Sequence, residues 1–157
     1  QVWKELEKIQ SDGGSRAVGV SNFLPEHLEA VLAAADLVPA VNQIEIHPTL
    51  QQAETVELSR KNGIAIEAYS PLGLSADLDN ETVRTIAESV GRSAAQVILR
   101  WHLQLGNVVI PRSVNAARIT ENIDVLDFEL TADEVGAITR LETGERVGSD
   151  PETMNKV

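Results

Sequence analysis

Apolar positions along this chain recur in two alternating rhythms. Val2, Trp3, Leu6 and Ile9 fall on one face of a helical wheel, with Lys4, Glu5, Glu7 and Lys8 mostly elsewhere, which predicts an amphipathic helix over residues 1–10. No capping residue stands before Gln1, so the chain reads as though it begins inside a helix. Gly13 and Gly14 end that helix, and Arg16-Ala-Val-Gly-Val20 reads as a short buried strand. Helical spacing returns over residues 25–36, where Leu28, Val31, Leu32 and Ala35 share a face and Pro25 suits the first turn. A second strand is predicted over 40–45, a helix over 51–61 and a third strand over 64–69.

Val18, Val41 or Asn42, and Ile66 lie about 24 residues apart. Strand, helix and strand at that period predict right-handed parallel β-α units. Strands that are apolar with little alternation predict a sheet covered on both faces. Residues 80–90 read as one helix. A Ser-x-x-Gln capping box at Ser93 opens another, apolar nearly all round and expected to be deeply buried. Residues 107–110 are the fourth strand and 115–125 its helix; a Thr-x-x-Glu box at Thr131 opens the last helix. Residues 1–142 are therefore expected to pack as β-α units, and 143–157 to form a polar, mobile tail. Four β-α units with two additional helices amount to half of a (β/α)8 barrel, since a whole one takes about 250 residues. A doubly wound sheet fits the same alternation.

Composition narrows the partners. The formal net charge is -11, which argues against nucleic acid, and an anion would have to be held by a local cationic cluster. No apolar run approaches the roughly 20 residues of a membrane span. There are no cysteines, so disulfides and thiolate metal sites are excluded, in keeping with a reducing cytoplasm.

Hydrogen-bonding residues gather where the predicted strands end, the functional end of a barrel. They are Ser21-Asn22, then Asn42, Gln43, Glu45 and His47, then Tyr69-Ser70, and finally Arg112-Ser113. Arg112, Ser113 and Arg118 flank a helix start, whose free N–H groups and dipole suit a phosphate dianion. Arg118 could instead pair with Glu121 or Asp124 on its own helix. His47 reads as a structural loop residue, His27 and His102 as packing or surface residues, Asp77 and Asp79 as a solvated loop, and Trp3 and Trp101 as core.

Gly19-Val-Ser-Asn-Phe23, Asn42-Gln-Ile-Glu-Ile-His-Pro48, Glu67-Ala-Tyr-Ser-Pro-Leu-Gly73 and Ile110-Pro-Arg-Ser113, followed by Arg118, Glu121 and Asn122, resemble in order the motifs of the aldo-keto reductase family. The likeness runs from Gln1 to at least Leu141 and is greatest to the bacterial subgroup that reduces 2,5-diketogluconate and small aldehydes or ketones. It implies an α/β fold, a TIM-type barrel of which this chain supplies about the last four β-α units and two accessory helices, and NADPH as cofactor. Ser21, Asn22 and Gln43 would hold the nicotinamide carboxamide, and Tyr69 would stack on the ring. Ser70, Leu72 and Gly73 would line the pyrophosphate. Arg112, Ser113 and Arg118 would hold the 2′-phosphate with Val114 beside it, and Glu121 and Asn122 would reach the adenine.

Two departures from the family pattern stand out. Arg112 replaces a common lysine, which keeps the charge and adds bidentate reach. Leu74 stands where a serine is frequent, and Ser75 or backbone would substitute. The family's proton-donating tyrosine, with its lysine, aspartate and histidine, belongs to the preceding half of the barrel, so no residue here is expected to be catalytic. The chain alone is expected to be inactive, and to associate with the absent half or with itself through unpaired strand edges. A non-catalytic dinucleotide-binding fragment and a purely structural half-barrel are the alternatives.

Overall fold

A computed structural model describes residues 2–153. Seven α-helices and four strands follow one another along them, with a 3-10 segment (Gly73–Asp79) between β3 and α4: α1 (Val2–Ser11), β1 (Val20–Ser21), α2 (Pro25–Ala34), β2 (Val41–Glu45), α3 (Ala53–Lys61), β3 (Ala65–Tyr69), α4 (Glu81–Val90), α5 (Ala94–Gln104), β4 (Val108–Val109), α6 (Ala116–Ile123) and α7 (Ala132–Thr139). The strands hydrogen-bond in sequence order, β1-β2-β3-β4, and β1 pairs with β2 in parallel, Val20 opposite Asn42 and Ser21 opposite Gln43. This is the α/β architecture with a parallel sheet that the repeat predicts.

The described residues fall into two compact units. The first holds those up to Ile44 together with Gln52–Glu67; the second holds Glu45–Gln51 and those from Ala68 on. In the first, Leu28 of α2, Ile44 of β2 and Ile64 and Ile66 at β3 are buried, and each such side chain contributes about 1.5–3 kcal/mol. The loop after α2 is fastened to α1: Trp3 Nε1 donates to the Leu37 carbonyl at 3.1 Å, and the Glu7 carboxylate accepts from the Asp36 and Leu37 amides at 2.8 and 3.0 Å. A Cβ at Gly19 would sit 2.4 Å from Val41 Cγ1, so only glycine lets β1 approach β2 there.

In the second unit, Val83, Val97, Leu99, Trp101 and Ile138 are fully buried where α5 packs on α4 and α7. Both capping boxes form: the Ser93 hydroxyl accepts from the Gln96 amide at 3.2 Å, and the Thr131 hydroxyl from that of Glu134 at 3.3 Å. Trp101 Nε1 donates to Thr139 Oγ1 at 3.1 Å, satisfying the polar atom of a core side chain.

Two expectations change, and one helix is unusually exposed. The strand read over residues 16–20 is confined to Val20–Ser21 and is not buried, and β4 keeps only Val108–Val109. Both are edge strands, with a ladder partner on one side only. Helix α6 carries no buried residue, and Ile123 and nearby Leu126 are 70% and 75% exposed. The stretch read as a mobile tail is instead tied down over residues 143–148. The Thr143 and Gly144 amides donate to the Thr49 carbonyl at 3.0 and 3.1 Å, and the Val147 and Gly148 amides reach the Glu45 carboxylate at 2.7 and 3.1 Å. Residues 154–157 of that tail lie outside the described residues. Among the described residues no helix is long and apolar enough to cross a membrane.

Candidate functional site

In the first unit, Ser21, Asn22 and Gln43 come together at the ends of β1 and β2. Ser21 Oγ and the Asn22 amide both donate to the Gln43 carbonyl oxygen at 2.9 Å. Asn22 has φ 57°, a left-handed conformation that asparagine tolerates better than most residues. Fully buried Asn42 holds that turn open: its Nδ2 donates to the Phe23 carbonyl at 2.9 Å and its Oδ1 accepts from the Phe23 amide at 3.3 Å. The Gln43 side chain donates through Nε2 to Glu67 Oε1.

In the second unit, a cleft of about 660 Å³ opens beside the start of α6. Leu72, Arg112, Ser113, Val114, Arg118, Glu121 and Asn122, all expected at a nucleotide's phosphate and adenine end, line it together. Ser75 lies on its wall as well. Arg112 and Arg118 are exposed, and among the described residues neither guanidinium forms an ion pair. The alternative partner Asp124 is taken by Arg92 at 3.0 Å. The Asp79 and Glu121 carboxylates share the lining, but neither is paired with Arg112 or Arg118, so both guanidiniums keep donors of the kind that hold a phosphate.

The helix opening differs from the expected free N–H groups. Asn115 Oδ1 accepts from the Ala117 and Arg118 amides at 2.9 and 3.3 Å, and the Ser113 hydroxyl accepts from the Asn115 amide at 3.1 Å. An asparagine N-cap thus takes two of the amides that an anion would have used, leaving recognition chiefly to side chains. An asparagine directly ahead of a helical run is the signal that identifies this cap. Tyr69, which ends β3, and Ser70 and Gly73 just after it are not among the residues lining the cleft. Gly73 closes a turn onto the Ser70 carbonyl at 2.9 Å, and Ser70, Gly73, Leu74 and Ser75 all have positive φ.

Behind that turn lies a polar network that nothing in the local sequence marks. His47 and Glu45 are fully buried and Asp77 nearly so. His47 Nδ1 stands 2.9 Å from Asp77 Oδ2 and 3.0 Å from Thr49 Oγ1, while Nε2 stands 3.3 Å from Glu45 Oε1. Burial lowers the His47 pKa, but the Asp77 and Glu45 carboxylates outweigh it and hold the imidazole above its ordinary value. Asp77 is therefore no solvated loop residue, whereas Asp79 is exposed and pairs with Arg84. A Cβ at Gly73 would lie 2.5 Å from Asp77 Oδ2, so the network and the turn require each other. His47 is structural as expected, and His102 is buried packing rather than surface.

Successive β-α units on a parallel sheet, with polar residues and an arginine-bearing cleft following the strands, fit a barrel of the (β/α) class. The chain belongs to the aldo/keto reductase family, whose profile matches residues 1–143. It is 52% identical over 154 residues to an aldo-keto reductase of Mycobacterium sp. (strain KMS), covering 98% of this chain and 56% of that one. Glyoxal reductase of Bacillus subtilis (strain 168) is 48% identical over 153 residues, 98% of this chain and 55% of its own length. The crystal structure of a Gox0644 mutant in complex with NADPH superposes with a TM-score of 0.94 at 44% identity, over 98% of this chain and 57% of that one. The chain thus spans little more than half the length of these relatives and forms part of a barrel.

Proposed function

We propose that this chain supplies the NADPH-binding part of an aldo-keto reductase that reduces aldehydes or ketones to alcohols. The observation that carries this is the pair of guanidiniums, Arg112 and Arg118, lining one cleft with no carboxylate partner among the described residues. That donor set fits the 2′-phosphate of NADPH, with Ser113 and Val114 beside it and Glu121 and Asn122 toward the adenine. Ser70, Leu72 and Gly73 are assigned to the pyrophosphate, where Ser75 also lines the cleft. Tyr69 packs against the nicotinamide ring, and Ser21, Asn22 and Gln43 bind its carboxamide. The bound cofactor supplies the hydride. This chain's residues bind and orient it, and proton donation falls to a tyrosine, lysine, aspartate and histidine outside the chain. Tyr69 is the only tyrosine in the sequence and has a different task, so the chain alone is expected not to turn over. The same observation favours a second reading, a dinucleotide-binding chain without catalysis. The substrate class is a small carbonyl compound, as glyoxal reductase's name and the 2,5-diketogluconate subgroup suggest. The lack of cysteine fits residence in the cytoplasm.

Arg118→Ala should weaken NADPH about tenfold and NADH far less, a differential of about 1.4 kcal/mol read by calorimetric titration. Equal loss for both would remove the 2′-phosphate assignment. NADPH oxidation with a simple aldehyde separates the two readings. Turnover by a full-length relative carrying these residues, and none by this chain, is the expected result.

A further inference from the structure

Ser21, Gln43 and Glu67 form a row across three strands. Ser21 and Gln43 are register partners, which places their side chains on one face of the sheet, and the Gln43–Glu67 hydrogen bond puts Glu67 on that face too. The row has a direction. A carboxylate offers only acceptors, so Glu67 takes the NH2 end of the Gln43 amide, and Gln43 Oε1 faces the opposite way. Ser21 spends its one hydroxyl proton on the Gln43 carbonyl at 2.9 Å, which leaves its oxygen an acceptor. Among the described residues no hydrogen bond donates to Gln43 Oε1 or Ser21 Oγ, so both oxygens can accept from a ligand. Without Glu67, the Gln43 amide could turn over and present its NH2 instead, and the site would accept a carbonyl as readily.

We propose that Glu67 is a positioning residue that locks the Gln43 amide with its oxygen outward, so that the site selects a ligand's primary carboxamide N–H over a bare carbonyl. This rests on the NADPH reading and gives its nicotinamide end a source of selectivity. The probe pair is NADPH and its 3-acetylpyridine analogue, which replaces the carboxamide by a methyl ketone with no N–H. Wild-type chain binds NADPH about tenfold more tightly than the analogue, the effect of one hydrogen bond lost at an otherwise unsatisfied acceptor. In Glu67→Met the preference falls below about threefold, while affinity for 2′,5′-ADP, which uses the Arg112–Arg118 cleft, is unchanged. Glu67→Gln, nearly the same size but able to donate to the Gln43 amide as well as accept from it, should likewise lower the preference below about threefold.

A wild-type preference near one, or an undiminished preference in Glu67→Met, overturns the role of Glu67 while leaving NADPH binding intact. Absence of NADPH binding by the wild type overturns the cofactor reading and this inference with it. Should Glu67→Met also lose 2′,5′-ADP, the near-isosteric Glu67→Gln decides: a preference below about threefold supports the lock, and one that stays near tenfold overturns it.

Discussion

Exchanging His102 for glutamine should change how the fold responds to acid. His102 is fully buried on α5. The Pro71 carbonyl, 3.1 Å from Nε2, can only accept, so Nε2 carries the proton, and Nδ1 is left to accept from the Asn107 amide at 3.3 Å. Trp101 stands edge-on to the ring at 4.6 Å between centroids. Desolvation pulls the pKa from 6.5 down to about 4, outweighing the Pro71 carbonyl, which favours the charged ring. In the unfolded chain the group returns to about 6.5. Between those values the unfolded state holds a proton that the folded state does not, so stability is whole above pH 6.5 and falls as pH drops toward 4.

The separation, 6.5 − 4, is about 2.5 units; at 1.36 kcal/mol per unit it amounts to about 3 kcal/mol below pH 4, with about 2.5 kcal/mol already lost at pH 4.5. Urea midpoints followed by circular dichroism at pH 7, 6, 5 and 4.5 measure it. His102→Gln is expected to be about 1 kcal/mol less stable at pH 7, through its poorer hydrogen bonds. That gap should then close and reverse, leaving His102→Gln the more stable by about 1.5 kcal/mol at pH 4.5, because the other titrating groups are common to both proteins. Parallel stability curves would refute a neutral buried imidazole.

Three further outcomes follow from the same network and the sheet edges. The raised pKa of His47 means that its stabilising contribution is full below pH 6.5 and is lost as pH rises through the folded value. Its ring resonances should titrate above 6.5, and His47→Gln should remove the alkaline-side decline. Glu45→Ala takes away the acceptor of the Val147 and Gly148 amides, so their hydrogen exchange should quicken by about tenfold or more while that of α5 holds; unchanged exchange would mean that the chain end is held by other contacts. The short edge strands β1 and β4, with Val108 and Ile110 about half exposed, predict concentration-dependent association in light scattering, and a stable monomer at every concentration would contradict it.

Where the controlling contacts lie close in sequence, the residues alone were enough. Gln96 lies three positions after Ser93 and Glu134 three after Thr131, and both boxes close as spelled. The recurrence of Val18, Asn42 and Ile66 announced the parallel β-α succession, because each unit is a local structure repeated. Arg112, Ser113 and Arg118 lie within seven positions, and they share one cleft. Tertiary structure alone decided what depends on distant partners. Asp77 looks like a solvated loop residue until His47, 30 positions earlier, receives it in the interior. The chain after Leu141 looks loose until Glu45, about 100 positions away, accepts its amides. The facing of the Gln43 amide depends on Glu67, 24 positions on. A residue's type states which hydrogen bonds it can make; burial and the return of the chain decide which of them it must make.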